Sequence, residues 1–358
     1  MIEKPKTNKT MKRHLLYLFA LLIFLASCSK KNDPAPTPEP DPTPTKPYVP
    51  DNSFKIVAYM PSYQDPGTIL DHKYKMITHL FYAFLSPSAA ADGSLQALPQ
   101  SGRFAAVKAK CRANNVKFGI SIGPGAADIS ENTFLVIAQT PAARTNFVKN
   151  IVNFAKSNDL DGVDMDWEYP RDNNGGSEAF HLLMQDLSIE LHKIGKFLSA
   201  AVTPAVYVSS NRAAIQAKTY QYVDFFNIMQ YDGAGYDATE PLNHASYKMS
   251  VASLDYWLGT RSMPKEKAIV GMPCYGKSST GSALAYKNIE VANTANSNVN
   301  VATVNGVTYG YNGIPTIKQK TRLAKDRANG IMFWEFAQDT NNDNSLIKAA
   351  NDELGRSY

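Results

Sequence analysis

The chain has 358 residues, 44% of them apolar and 19% charged, enough for one barrel-sized domain with a sizeable core. The formal net charge is +5, and most of the excess comes from Lys4, Lys6, Lys9, Lys12 and Arg13 set against Glu3. The nearly neutral remainder gives no electrostatic case for nucleic acid, and three cysteines without a C-x-x-C pair exclude a disulfide scaffold and a zinc ribbon.

The first predicted element is a targeting segment. Leu15 to Ala26 is a run of 12 apolar residues behind Lys12-Arg13. It is shorter than the ~20 residues that span a bilayer, and it has the layout of a secretory signal. Leu25-Ala26-Ser27-Cys28 resembles the lipobox of bacterial lipoproteins, in which cleavage precedes a Cys that receives lipid. That resemblance implies a lipid on Cys28 and attachment to a membrane of the bacterial cell envelope, at the outer membrane or cell surface. An ordinary signal that happens to contain a Cys is the alternative, and Met11 is an alternative start. Residues 29–50 contain eight prolines and read as a stiff, semi-extended tether. The expected organisation is a signal at 1–27, a tether at 28–50 and one catalytic barrel at 51–358.

From Phe54 onward, short apolar runs alternate with amphipathic stretches. The runs cover 54–59, 76–84, 116–122, 162–167, 197–203, 225–231, 268–272 and 330–334. Helical patterns are predicted at 103–113, from Pro141 to about Ser157, from Ser177 to about Ile194, and at 211–218, 246–259, 315–328 and 346–354. Strand–helix alternation implies a parallel sheet, and eight units favour a closed (β/α)8 (TIM) barrel, whose chemistry sits where the strands end. Residues 277–313, rich in Ser, Thr, Asn and Gly, break the rhythm and read as a loop or small β excursion.

The densest chemistry lies in the fourth run, Asp161-Gly162-Val163-Asp164-Met165-Asp166-Trp167-Glu168-Tyr169. Alternation along a strand puts Asp164, Asp166 and Glu168 on one face and Val163, Met165 and Trp167 on the other. Asp161 has the opposite parity and is expected to shape the preceding turn. Three carboxyls pointing into a barrel are costly unless used or neutralised. A solvated edge strand does not fit, because the opposite face is apolar. Two readings remain: a divalent metal site built on carboxylate oxygens, or acid catalysis with the outermost carboxyl, Glu168, kept protonated by crowding.

Asp161 to Glu168 carries the D-x-x-D-x-D-x-E pattern and resembles the signature of family 18 glycoside hydrolases, the chitinases and their relatives. Met229-Gln230-Tyr231-Asp232, Gly271-Met272-Pro273-Cys274-Tyr275-Gly276, Phe333-Trp334-Glu335 and Phe81-Tyr82-Ala83-Phe84 are similar to other motifs of that family. The resemblance covers roughly residues 54–355. It implies no cofactor and no metal, a monomer, and an N-acetylglucosamine-containing polysaccharide or glycan as the partner. It implies Glu168 as general acid and base, and Asp166 as the group that orients the substrate's acetamido arm. Asp164 would share a proton with Asp166, and Tyr231 would donate to the acetamido oxygen. Trp334 would stack under the sugar, Asp232 would bind beside it, and Met229, Tyr59, Phe84 and Tyr169 would line the site. Non-proline cis peptides are expected at Ala83-Phe84, Glu168-Tyr169 and Trp334-Glu335. Two departures stand out. Pro124 replaces a Gly in the family's S-x-G-G, here Ser121-Ile122-Gly123-Pro124, and the excursion before the last strand looks short, which implies a shallow groove.

Three competing readings accompany this one. Gly119-Ile120-Ser121-Ile122-Gly123 matches the nucleophile elbow G-x-S-x-G, with His244 as the remaining loop histidine. An endo-β-N-acetylglucosaminidase acting on N-glycan cores would share the acid and its partner. A catalytically silent glycan-binding lipoprotein would keep the fold, but such relatives usually lose the terminal acid, which is present here as Glu168. Cys111 and Cys274 are expected to be free thiols.

Overall fold

The computed structural model describes Met1 and residues 48–358; the signal-like segment, Cys28 and the tether as far as Pro47 lie outside the described residues. Eight parallel strands close a barrel. They are β1 (Lys55–Pro61), β2 (His79–Leu85), β3 (Lys117–Ile122), β4 (Gly162–Met165), β5 (Phe197–Val202), β6 (Phe225–Ile228), β7 (Ala268–Pro273) and β12 (Gly330–Trp334). Neighbours run in chain order around the ring, and β12 closes on β1 through pairs such as Val57 with Met332. Because the strands are covered on both faces, they read as apolar runs rather than as an alternating pattern. The predicted eight-stranded barrel is thus the observed one.

Two cores result. Val57, Phe81, Phe225, Ile269 and Met332 fill the barrel interior. The larger core lies between strands and helices, where Trp167 stacks on Phe134 with centroids 6.0 Å apart. The helices are α1 (Asp71–Tyr74), α2 (Ser101–Ala113), α3 (Glu131–Gln139), α4 (Pro141–Ser157), α5 (Gly176–Lys193) and α6 (Tyr247–Leu254), followed by α7 (Tyr286–Ala292), α8 (Ile314–Arg327) and α9 (Leu346–Leu354). The expected helix at 211–218 does not form. The loop before it is drawn towards the β4 side, where Arg171 donates to Ser210 Oγ and Asp172 N to Ser210 O, and only a 3-10 turn at Ala217–Tyr222 follows. The stretch expected as one helix over 246–259 ends its α-helical part at Leu254 and continues as a π-helical turn, Asp255–Thr260.

The excursion is more ordered than a loop. It contains β8 (Tyr275–Ser278), β9 (Ala283–Ala285), β10 (Val301–Val304) and β11 (Val307–Gly310), with α7 between them. These form an antiparallel sheet in the order β10-β11-β8-β9. Asn305 and Gly306, both at positive φ, make the two-residue β10–β11 turn.

The two ends of the barrel domain are joined by a buried ion pair. Lys73 of α1 donates to Asp339, to Thr340 O at 2.7 Å and to Ser345 Oγ at 3.0 Å. Asp339 also accepts the Leu346 N–H at 2.9 Å, at the start of α9. Removing one partner of a buried pair leaves an uncompensated charge, at a cost of ~3–5 kcal/mol. Lys73→Ala is expected to lower the urea midpoint accordingly, and the double variant with Asp339→Ala should lose less than the sum of the two. Additive losses would show that the pair is not coupled.

At the opposite end of the strands, Tyr48 stacks on His192 of α5, with centroids 3.9 Å apart and planes within 8°. Its hydroxyl hydrogen-bonds to Asp224. Lys55 at the start of β1 donates to Asp51 O and Ser53 O. The chain therefore enters the barrel across its N-terminal face.

Candidate active site

The predicted alternation holds along β4 and beyond its end. Asp161 stays outside the barrel at its base, accepting the Phe118 N–H at 2.7 Å and pairing with Arg112, so it shapes the turn as expected. Asp164 points into the barrel and is fully buried. Its Oδ2 accepts from Tyr59 and Ser121, each at 2.8 Å, and its Oδ1 from Ser199 at 2.6 Å and Asn227 at 3.2 Å. Asn227 also donates to the Tyr59 hydroxyl. Burial pushes the Asp164 carboxyl up, and the four donors oppose it. Both oxygens are filled by hydroxyl and amide donors, a set suited to holding an anion rather than a cation.

Asp166 differs. Its Oδ1 is buried without a hydrogen-bond partner. Burial, then Glu168, then Asp164 push its carboxyl well above the usual range. Among the described residues no hydrogen bond joins Asp164 to Asp166, so any shared proton requires Asp166 to turn inward. Burial raises Glu168 as well, with a further push from Asp232 and an opposing hydrogen bond from Tyr169. These three carboxyls thus occupy three environments: saturated, orphaned and partly buried.

Asp166 and Glu168 open into a cavity of about 200 Å³ at the C-terminal mouth of the barrel. Phe84, Tyr169, Met229, Tyr231, Asp232 and Trp334 line it, together with Pro204 and Tyr275. Trp334 and Phe84 lie nearly parallel, 5.8 Å apart, and give the cavity an aromatic floor. Tyr59 was expected at the sugar but lies below the cavity, fully buried against Asp164. The three cis peptides occur at the expected bonds. Pro124 is flanked by Gly123 and Gly125, which accept the Phe84 side chain so closely that a Cβ at either would sit within 2.8 Å of it. The loop after β3 therefore still packs tightly on the site.

Asp232 has φ 63°, uncommon for a residue other than Gly. Its Oδ1 accepts from Tyr275 at 2.6 Å and pairs with Lys277 at 2.8 Å, with His244 Nδ1 3.4 Å away; burial pushes the carboxyl up, but His244, Lys277 and Tyr275 together hold it well below the ordinary range. A second cavity, of about 310 Å³, shares Tyr169, Pro204, Tyr231 and Asp232 with the first and is walled by the half-exposed Tyr207. Ser121 donates to Asp164 and His244 is engaged by Asp232 N and Tyr275 O, so the serine-hydrolase arrangement is not assembled. Cys111 and Cys274 are buried and free. Sequence reasoning missed Ser199, Asn227, Tyr275 and Lys277. Only Tyr275, inside the Gly-x-Pro-x-Tyr-Gly match, carried a local signal.

A barrel with acidic residues at the end of β4 and an aromatic floor from β12 defines a carbohydrate-active site. Residues 55–339 match the model of glycosyl hydrolases family 18, and the chain belongs to that family. It is 26% identical over 263 residues to "Probable chitinase 10" of Drosophila melanogaster, a match covering 66% of this chain and 11% of that protein. It is 27% identical over 339 residues to "Class V chitinase" of Arabidopsis thaliana, covering 82% and 87%. For several curated relatives, the chain spans less than two thirds of their length. The crystal structure of the GH18 chitinase ChiB from the chitin utilization locus of Flavobacterium johnsoniae superposes with a TM-score of 0.70 at 26% identity, covering 84% of this chain and 94% of that one.

Proposed function

We propose that the chain hydrolyses β-1,4 bonds between N-acetylglucosamine units, in chitin or chito-oligosaccharides, by a retaining, substrate-assisted mechanism. The observation that carries this reading is the placement of Asp166 and Glu168. Both lie on the same side of one small cavity, and the inner one has a buried oxygen without a partner. Most retaining enzymes place the nucleophile and acid ~5–5.5 Å apart across the bond; substrate assistance is the recognised exception.

Glu168, whose protonated form burial favours, gives its proton to the glycosidic oxygen as the bond to the anomeric carbon breaks. The acetamido oxygen of the same sugar forms the new bond to that carbon. Asp166 accepts the acetamido N–H and opposes the positive charge of the resulting oxazolinium. Tyr231 donates its hydroxyl to the acetamido oxygen, and Trp334 supports the apolar face of the ring. Water then attacks the anomeric carbon as its bond to the acetamido oxygen breaks and the acetamide is restored, the water's proton passes to the Glu168 carboxylate, and the configuration is retained. The adjoining cavity beside Tyr207 has room for a leaving-group sugar. The M-x-Y-D ending of the sixth run supports chitin over N-glycan cores. The lipobox supports attachment through a lipid on Cys28.

Matched oligomers test this reading. N-acetylglucosamine oligomers should be cleaved with retention, while glucose oligomers and deacetylated units at the reactive position should be inert. Comparable rates on the N-acetylglucosamine and glucose oligomers would mean that a protein nucleophile does the work. Cleavage of a high-mannose glycoprotein but not of chitin oligomers would move the substrate to N-glycans.

A further inference from the structure

We propose that Arg171, in the loop after β4, is a positioning residue for the leaving-group side of the site: its guanidinium ties the start of α3 to the loop after β5 and so holds the wall on which the departing sugar rests. This rests on the reading of the cavity beside Tyr207 as the leaving-group site. One planar group makes both connections. Nε donates to Glu131 Oε1 at 3.0 Å, Nη2 to Glu131 Oε2 at 2.8 Å, and Nη1 to Ser210 Oγ at 3.2 Å. The Asp172 N–H donates to Ser210 O at 2.8 Å. Ser209 and Asn211, on either side of Ser210, line the second cavity together with Tyr207. The clip thus grips the wall between two of its lining residues.

That wall needs holding from outside. Ala205, just after β5, has φ 57°, a backbone state that alanine adopts where its surroundings impose it. Tyr207 is half-exposed and meets Tyr236 edge-on, with centroids 5.8 Å apart. Arg171 itself is fixed through its backbone. Its carbonyl accepts the Ser177 N–H at 3.1 Å, and Gly176 packs so close that a Cβ there would sit 2.6 Å from Arg171 N. Shortening the side chain therefore frees the loop after β5 and leaves Tyr169 and Glu168 in place. The arginine fork fills both oxygens of a carboxylate and still donates from a third nitrogen, which the single ammonium of a lysine does not match. The Arg171 and Glu131 side chains are each 40% exposed, so the pair contributes little to folding. An effect on the reaction is therefore separable from an effect on stability.

Purified full-length chains carrying Arg171→Met, Glu131→Gln, both together, and Glu168→Gln are compared with wild type on two substrates. One is the N-acetylglucosamine tetramer, which places sugar on the leaving side. The other is the nitrophenyl glycoside of the dimer, read by release of the phenol. Arg171→Met is expected to lower kcat/KM on the tetramer about fivefold or more, mainly through KM, and on the aryl glycoside by less than about twofold, the pattern of a displaced leaving-group site beside intact chemistry. Glu131→Gln should shift the ratio of the two substrates in the same direction, and the double variant should lose no more than Arg171→Met alone. Thermal midpoints should stay close. Turnover surviving in Glu168→Gln, or none in wild type, would overturn the reading of the site itself. With wild type active and Glu168→Gln inactive, equal losses on the two substrates or no loss on the tetramer would overturn the role of Arg171 alone, as would additive losses in the double variant.

Discussion

Glu168→Gln is expected to cut turnover on N-acetylglucosamine oligomers by ~10² or more, the scale of general acid catalysis, while leaving oligomer binding in place. Gln matches the shape of Glu and keeps a group that can accept from Tyr169, but it cannot release a proton to the glycosidic oxygen. The pH dependence gives a second handle. Burial and Asp232 raise Glu168 above its ordinary range, so the protonated form persists to higher pH, and activity is lost as pH rises through that raised value. The wild-type alkaline limb should therefore lie above the usual carboxylate range, and the residual activity of the variant should lack it. Turnover measured at saturating substrate, with binding followed separately by calorimetry, checks both points. Near-normal turnover in a folded Glu168→Gln chain would sink the assignment.

The second large effect is expected at Asp166. Asp166→Asn keeps the volume but removes the charge that opposes the oxazolinium, and loss of one preorganised group of this kind costs ~10²–10³ in turnover. Because Asp166 and Glu168 repel each other's ionisation, the variant should also lose its proton from Glu168 more readily, so its alkaline limb should move down. A thiazoline analogue of the intermediate should bind the wild-type chain tightly and the variant weakly, because the pocket favours the species formed on the way to products. Equal affinity in the two would remove Asp166 from charge stabilisation and leave it a packing role.

The barrel was legible because its strands are buried on both faces and appear as eight predominantly apolar runs. The helices were less so. α3 went unpredicted because Thr133 to Ala138 reads as one apolar stretch; its start is marked by Ser130, whose N–H bonds to Thr133 Oγ1 at 3.3 Å, a short-range signal easily passed over. The segment at 211–218 has helical composition but is held by loop contacts that no local pattern encodes. At the site, period-two alternation was enough to group Asp164, Asp166 and Glu168. The hydrogen-bonding set beneath Asp164 was not legible as a set: Tyr59 was expected at the sugar, Ser121 appeared only within a motif match, and Ser199 and Asn227 carried no signal. Tyr59, Ser121, Ser199 and Asn227 come from β1, β3, β5 and β6, and they meet only when the ring closes. Each sits inside an apolar run, where a single polar residue reads as a packing detail. The same holds for Lys277, whose partner Asp232 belongs to another strand's loop.

The clamp of Tyr48 on His192 and Asp224 has a mechanical consequence. A pull on the chain at Tyr48 is borne by His192 and Asp224, at the start of the strands, and not by the loops at the other end of the barrel that carry Glu168 and Trp334.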